Sequence, residues 1–113
     1  MAEKQHNMVV RRGTVTIVGA DDTTTAGTST QEMNGLVRWV DFTTANMQDS
    51  DSTNIVVVDE FGGTVYASGT VAESTTFSNG TTFPVYGTVD VVAVAEGTQS
   101  ASREVPFGII LEE

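Results

Sequence analysis

The chain predicts an all-β fold, and three observations carry that expectation. Valine supplies 17 and threonine 18 of the 113 residues, whereas leucine occurs only twice. β-Branched side chains lose χ1 freedom in a helix, and the straight-chain helix formers are scarce, so a helical bundle is excluded. Apolar residues recur at spacings of two, with Gly, Asn-Gly or Gly-Gly between the runs, which is the pattern of short strands joined by turns. The length suits one domain. The absence of cysteine removes a disulfide scaffold and a thiolate metal site. Together these predict six to eight strands in a small antiparallel β-sandwich or β-barrel, residues 13–113, preceded by a flexible basic N-terminal arm, residues 1–12.

Taken in order, residues 1–8 show no period and read as a docking or flexible arm. Val15 and Ile17, two apart, mark a half-buried strand from Arg12 to Val18. Gly19 to Asn34 is rich in Thr, Asp, Gly and Ser and reads as a long loop, mobile or partner-binding. Asn34-Gly35 is a turn signal. Leu36 to Phe42 then carries large apolar groups on both alternating faces, so it is expected to be central and covered on both sides.

A polar loop, Asn46 to Asn54, leads to the clearest hairpin in the chain. Ile55 to Val58 is a buried run, Gly62-Gly63 turns without steric cost, and Thr64 to Ser68 returns. Thr70 to Thr76 reads as a short strand and Asn79-Gly80 as a turn. Pro84 is expected to open the longest strand, Val85 to Glu96. The last strand, Ala101 to Leu111, contains Pro106, which suggests an edge position or a bulge. The predicted core is Ile17, Leu36, Val40, Ile55, Val57, Val65, Val89, Val91, Phe107 and Ile109.

The charge divides unevenly. Residues 1–12 set Glu3 against Lys4, Arg11 and Arg12, a balance of +2, while the remaining 14 acids face only Arg38 and Arg103, a balance of −12. An acidic body repels phosphate, so nucleic acid is not an expected partner. The acidity serves solubility, and with a single Lys it also suits high salt. No run reaches the roughly 18 apolar residues that cross a membrane. Nor is there a signal-peptide core at the N-terminus, where Met8-Val9-Val10 meets Arg11-Arg12 at once.

Catalytic chemistry finds little to use. The lone histidine, His6, lies in the arm, far in sequence from any candidate nucleophile. Asp41 and Asp90 lie within expected strands and could approach each other across a sheet, although outward-facing carboxylates are the simpler reading. Asp49-Ser50-Asp51-Ser52-Thr53 places oxygens at alternate positions, with Glu60 twelfth from Asp49. The resemblance to a calcium loop fails at position six, which is Asn54 rather than Gly, and at the following strand. Asp49 and Asp51 remain weak candidates for a looser cation site. Asn79-Gly80-Thr81 matches a glycosylation acceptor. Trp39, Tyr66, Phe77, Phe83 and Tyr86 could form a sugar-binding platform, but core and cross-strand packing explain most of them. No catalytic residue, metal or cofactor is assigned.

Gly35-Leu36-Val37-Arg38-Trp39-Val40-Asp41-Phe42, a polar loop, the Val-rich hairpin of residues 54–68, and Phe83-Pro84-Val85-Tyr86-Gly87-Thr88 leading into a long strand follow one another in order. This order resembles small head-gene structural proteins of tailed viruses of bacteria and archaea, over about two-thirds of the chain. The resemblance implies a capsid decoration (cement) or head accessory protein with no enzymatic activity. Such a protein is located on the virion surface and bound to the major capsid protein or another virion protein, and it is a homo-oligomer, often a trimer. Binding across neighbouring shell subunits would stabilise the assembled state by mass action. Within that expectation Lys4, Arg11 and Arg12 are the docking residues, because an arm that orders on contact covers much surface with few residues. A secreted or cell-surface β-sandwich module that binds carbohydrate or protein is the alternative.

Overall fold

The computed structural model describes residues 7–19 and 26–113. It contains eight strands: β1 (Met8–Ile17), β2 (Ala26–Glu32), β3 (Gly35–Thr43), β4 (Thr53–Val58), β5 (Thr64–Val71), β6 (Thr76–Val85), β7 (Thr88–Ala95) and β8 (Arg103–Glu112). They form two four-stranded antiparallel sheets, sheet A in the order β1-β8-β3-β6 and sheet B in the order β2-β7-β4-β5. Only the β4–β5 connection joins neighbours within one sheet; every other connection crosses to the opposite sheet. The architecture is a β-sandwich, and this strand order is the double Greek key of a jelly roll.

The core lies between the sheets. Val15, Ile17, Val37, Val40, Phe42, Val105, Ile109 and Leu111 from sheet A meet Ile55, Val57, Val89, Val91 and Ala93 from sheet B. Eight of the ten residues expected in the core are buried there, and Leu36 and Val65 are only half-buried. Phe42 stacks on Phe77 with ring centroids 4.9 Å apart, and Tyr66 stacks on Phe83 at 5.5 Å. The predicted hairpin is present. Asp59 closes its turn by accepting the backbone N–H of Phe61 and of Gly63 at 3.0 and 2.9 Å, while Gly62 adopts φ +86°.

Several expectations need correction. The boundary drawn at residue 12 is too late, because β1 begins at Met8 and pairs with β8 along its whole length. The segment read as a loop from Gly19 to Asn34 contains β2, which pairs with β7 from Ala26 to Glu32. Asn79-Gly80 is not a turn but the middle of β6; the reversal comes instead at Tyr86-Gly87, where Gly87 has φ +70°. Pro106 lies in a strand with neighbours on both sides, not on an edge. The ladder tolerates it because β3 pairs with β8 only as far as Phe42↔Phe107, so no β3 carbonyl awaits the missing N–H. Finally, β3 is central but not covered on both faces. A register shift between Val37 and Trp39 moves Arg38 and Trp39 outward together, leaving Val37, Val40 and Phe42 inside.

Candidate interaction surface

The bulge in β3 puts Trp39 on the solvent side of sheet A. Its cross-strand row runs Val10, Ile110, Trp39, Gly80, and the adjacent row runs Met8, Glu112, Leu36, Pro84. Val10 and Met8 are about half exposed, at 47% and 53%, and Trp39 is 40% exposed. Trp39 lies over Gly80, where an added Cβ would come within 2.8 Å of the ring, and its indole N–H donates to Ser78 Oγ at 2.8 Å. The ring is therefore held flat and presented rather than left swinging. The Val10–Ile110–Trp39 row is apolar, the neighbouring row is interrupted by Glu112, and exposed apolar area of this kind on the wet side of a sheet is what marks a protein contact.

The cations fall beside this strip. Arg38 pairs with Glu112 at 2.8 Å, and Arg11 pairs with Glu113 at 2.7 Å. Arg12 is exposed on the outer face, opposite Gly108 and next to the Val10 row, with no ion-pair partner among the described residues. Of the three residues expected to dock, Arg12 faces outward. Arg11 sits at an inward-pointing position of β1, engaged by the C-terminal Glu113. Lys4 lies outside the described residues, as does His6. Both described docking residues sit in a strand rather than in an arm.

The other candidate residues separate. Asp49 belongs to a single 3-10 turn, Gln48–Ser50, and has φ +55°. Asp51 is a structural acceptor, taking a bond from Gln99 Nε2 at 2.8 Å. Glu60 lies at the other end of β4, whose six residues separate it from Asp51 by roughly 20 Å at ~3.3 Å per residue. Glu60 abuts Gly87 there. No group of three or more metal-ligating side chains occurs among the described residues. Asp41 and Asp90 belong to different sheets and face out on opposite sides of the sandwich, with Asp90 accepting Thr30 Oγ1 at 2.7 Å. They cannot form a catalytic pair. The aromatic platform also dissolves: Tyr66, Phe77 and Phe83 pack inward, leaving Trp39 on sheet A and Tyr86 in the β6–β7 turn.

Sequence reasoning missed Gln99, which is fully buried and organises the loops opposite the chain ends. Its carbonyl accepts the Gln48 N–H at 2.7 Å while its amide donates to Asp51. Gln99→Ala strands both partners. We expect it to cost about 2 kcal/mol in urea unfolding, with the m-value unchanged; a loss below about 0.5 kcal/mol would mean that water replaces the amide at no cost.

Glu73 serves the same loop cluster. Its carboxylate accepts the Met47 N–H at 2.9 Å. That bond first, the Ser50 hydroxyl second and the Arg103 charge last hold its pKa below 4.5, against a smaller opposing effect of burial. A carboxylate depressed in the folded state adds stability above its unfolded pKa, and that stability fades as pH falls through the folded value. Stability should therefore drop below pH 4.5 partly through Glu73. Melting Glu73→Gln across the acid range should show a shallower acid limb than the parent; parallel curves would remove Glu73 from this role.

No protein-family model matches the chain, and no curated protein matches it. Solved structures do match it, among them two that span most of the chain. One is a chain of the Bacillus endospore appendages, described as a novel family of disulfide-linked pili. It has a TM-score of 0.52 and 17% identity, over 99% of this chain and 94% of that one. The other is the Yersinia pseudotuberculosis-derived mitogen, a looser likeness with a TM-score of 0.39 and 9% identity, over 95% of this chain and 87% of that one. The first likeness supports the sandwich along nearly the full chain. With no cysteine here, the disulfide linkage of those pili has no counterpart in these residues.

Proposed function

We propose that this chain is a structural protein of a large protein assembly, a capsid decoration protein that docks on the outer shell of a virus particle. The observation that carries this reading is the outward row of Val10, Ile110 and Trp39, flanked by Met8 and Leu36, with exposed Arg12 beside it, which has no ion-pair partner among the described residues. Apolar area of this kind gains by leaving water. An exposed cation adjacent to it steers and orients docking on an acidic neighbour. The jelly roll is a fold used by capsid and lectin domains alike, so fold adds no more than compatibility.

The reading is tested by imaging the particle with which the chain copurifies. Density of this size at local three-fold or two-fold positions of the shell supports it. A free monomer that binds glycans on an array overturns it in favour of a secreted or cell-surface binding module. Arg12→Glu is the informative variant for shell occupancy, and occupancy should fall at least tenfold. Deleting residues 1–12 is uninformative, because it removes the first half of β1 and its pairing with β8.

A further inference from the structure

Coverage, charge and bulges keep native edge strands from pairing with other chains. Three of the four edges of this sandwich carry such protection. Strands β1 and β2 cover each other: the Val18 N–H bonds to the Ala26 carbonyl, and Gln31 Nε2 donates to the Arg12 carbonyl. Strand β5 is bent by two register shifts against β4 and by Gly69 at φ +74°. Strand β6 is different. Its ten residues, Thr76–Val85, include no charged side chain, and it pairs with β3 alone.

Strand β6 also aims a regular run of main-chain groups off the edge. The Thr44 N–H bonds to the Thr75 carbonyl, and antiparallel pairs alternate between bonded and unbonded. Phe42 with Phe77 and Val40 with Asn79 are therefore bonded pairs of β3 and β6. Thr76, Ser78 and Gly80 turn their N–H and C=O groups the other way. All three residues are exposed. The register shift between β3 and β6 comes only past Gly80, and Pro84, which has no N–H to give, lies past it too.

We propose that β6 pairs antiparallel with β6 of a second copy of this chain, joining two A sheets into one eight-stranded sheet across a two-fold axis. The pleat requires outward residues to face outward residues. Centring on Ser78 uses the whole regular run: Ser78 meets the partner's Ser78, and Thr76 meets the partner's Gly80 on each side of the axis. That makes about six main-chain bonds, the interaction that holds an added strand to a sheet.

The strand itself selects a second copy as its occupant. Two identical antiparallel strands set any charge close to its like, which is costly, and β6 has no charge to set. Gly80 leaves space that Trp39 fills, so the partner's Thr76 arrives beside the indole, which is 40% exposed without it. The two-fold makes this contact twice. A foreign extended peptide would gain the main-chain bonds alone.

The inference goes beyond the decoration reading and does not depend on it. A two-fold perpendicular to the sheet keeps like faces on one side, so the dimer presents two Val10–Ile110–Trp39 rows on one surface. Where both readings hold, the shell meets a bivalent unit, and its second contact is effectively intramolecular. Each copy carries a net charge of −10. This opposes pairing at long range, so salt should strengthen the dimer by screening.

The experiment uses the full chain, sedimentation equilibrium from micromolar to millimolar protein, and amide exchange at both limits. The mass should rise from 11.9 kDa to twice that value and stop there, at lower protein concentration in high salt than in low. The amides of Thr76, Ser78 and Gly80 should exchange at least tenfold more slowly in the concentrated sample. Ser78→Pro removes an N–H that β3 does not use, and a proline is tolerated on that side of an edge strand. The variant should melt as a folded protein and remain monomeric.

A parent that stays monomeric at millimolar concentration, a mass that passes the dimer, a dimer whose three edge amides still exchange fast, or a folded Ser78→Pro that dimerises would each overturn the proposal. If Ser78→Pro does not fold, the amide exchange of the parent decides alone. Shell occupancy is read separately on the particle. A parent that occupies the shell but never pairs defeats this inference alone, and one that pairs through β6 without occupying the shell defeats only the decoration reading.

Discussion

Phe42→Ala is expected to lower the unfolding free energy by about 3–5 kcal/mol, a large share of the 5–15 kcal/mol that holds most domains folded. Phe42 is 1% exposed and is the largest fully buried side chain. It lies at the last position where β3 still pairs with both neighbours, opposite Phe107 of β8 and Phe77 of β6. The stack on Phe77, 4.9 Å between centroids, couples the centre of sheet A to its edge strand. Truncation removes the transfer energy of the ring and leaves a cavity that the surrounding strands cannot collapse to fill.

The midpoint of urea unfolding should fall with little change in slope. The melting temperature should drop by roughly 12–20 °C at ~4 °C per kcal/mol. Phe77 is only half-buried, so Phe77→Ala should cost less. The double variant should reveal a coupling of about 0.5–1.5 kcal/mol between the rings. A loss for Phe42→Ala below about 1.5 kcal/mol would show that the two sheets slide together to refill the space.

How much of this was legible beforehand follows from which strands carry their own signal. Ile55 to Val58, Gly62-Gly63 and Thr64 to Ser68 make the one local hairpin, and the sequence shows it because period, turn and return all lie within 15 residues. The same reasoning has no access to the other connections, which all cross between sheets. Strand β2, Ala-Gly-Thr-Ser-Thr-Gln-Glu, has no apolar residue beyond Ala26. It is a strand because Ala26 to Glu32 find partners in Val94 to Thr88, and that pairing is tertiary. Asn79-Gly80 reads as a turn by local chemistry, yet Gly80 is in β6 because a side chain there would strike Trp39. Glycine here serves close approach, not reversal.

The interaction surface was legible in part for a related reason. Arg12 stood out by charge, and Trp39 by being the only tryptophan. What joined them was not visible. Strict alternation over Leu36 to Phe42 puts Trp39 on the face opposite Val40 and Phe42 but leaves Val37 beside it, so neither face looks clean. The register shift after Val37 sorts them, sending Trp39 to the row that contains Val10. Arg11, next in sequence to Arg12, shows the converse: alternation in β1 turns it inward, where Glu113 meets it. A charge count over residues 1–12 treats the two alike, whereas a strand with period two separates them.

The missed strand also supplies a prediction in which two physical effects have opposite signs. Glycine within a strand is worse than alanine by about 0.5–1 kcal/mol, so propensity alone says that Gly27→Ala should stabilise. The fold reverses this. Strand β2 edges sheet B where it passes β1 of sheet A, and the Val18 N–H bonds to the Ala26 carbonyl at 3.3 Å. A Cβ on Gly27 would fall 1.8 Å from the Thr16 carbonyl oxygen and 2.5 Å from its carbon. Both atoms are backbone in a paired strand, with Thr16 held opposite Glu104 of β8, so no rotamer change relieves the clash and one sheet edge must move.

Overpacking against backbone outweighs the propensity gain, and we expect Gly27→Ala to lose about 3 kcal/mol, near the upper end for a small-to-large change. The melting temperature should fall by roughly 10 °C, and the amides of β2 should exchange faster than those of β4 and β7 as the edge lifts away. Thr28→Ala, one position along and facing solvent, should stay within about 0.5 kcal/mol of the parent. If Gly27→Ala instead raises the melting temperature, β2 does not press on β1, and the corner that joins the two sheets is looser than the 1.8 Å approach requires.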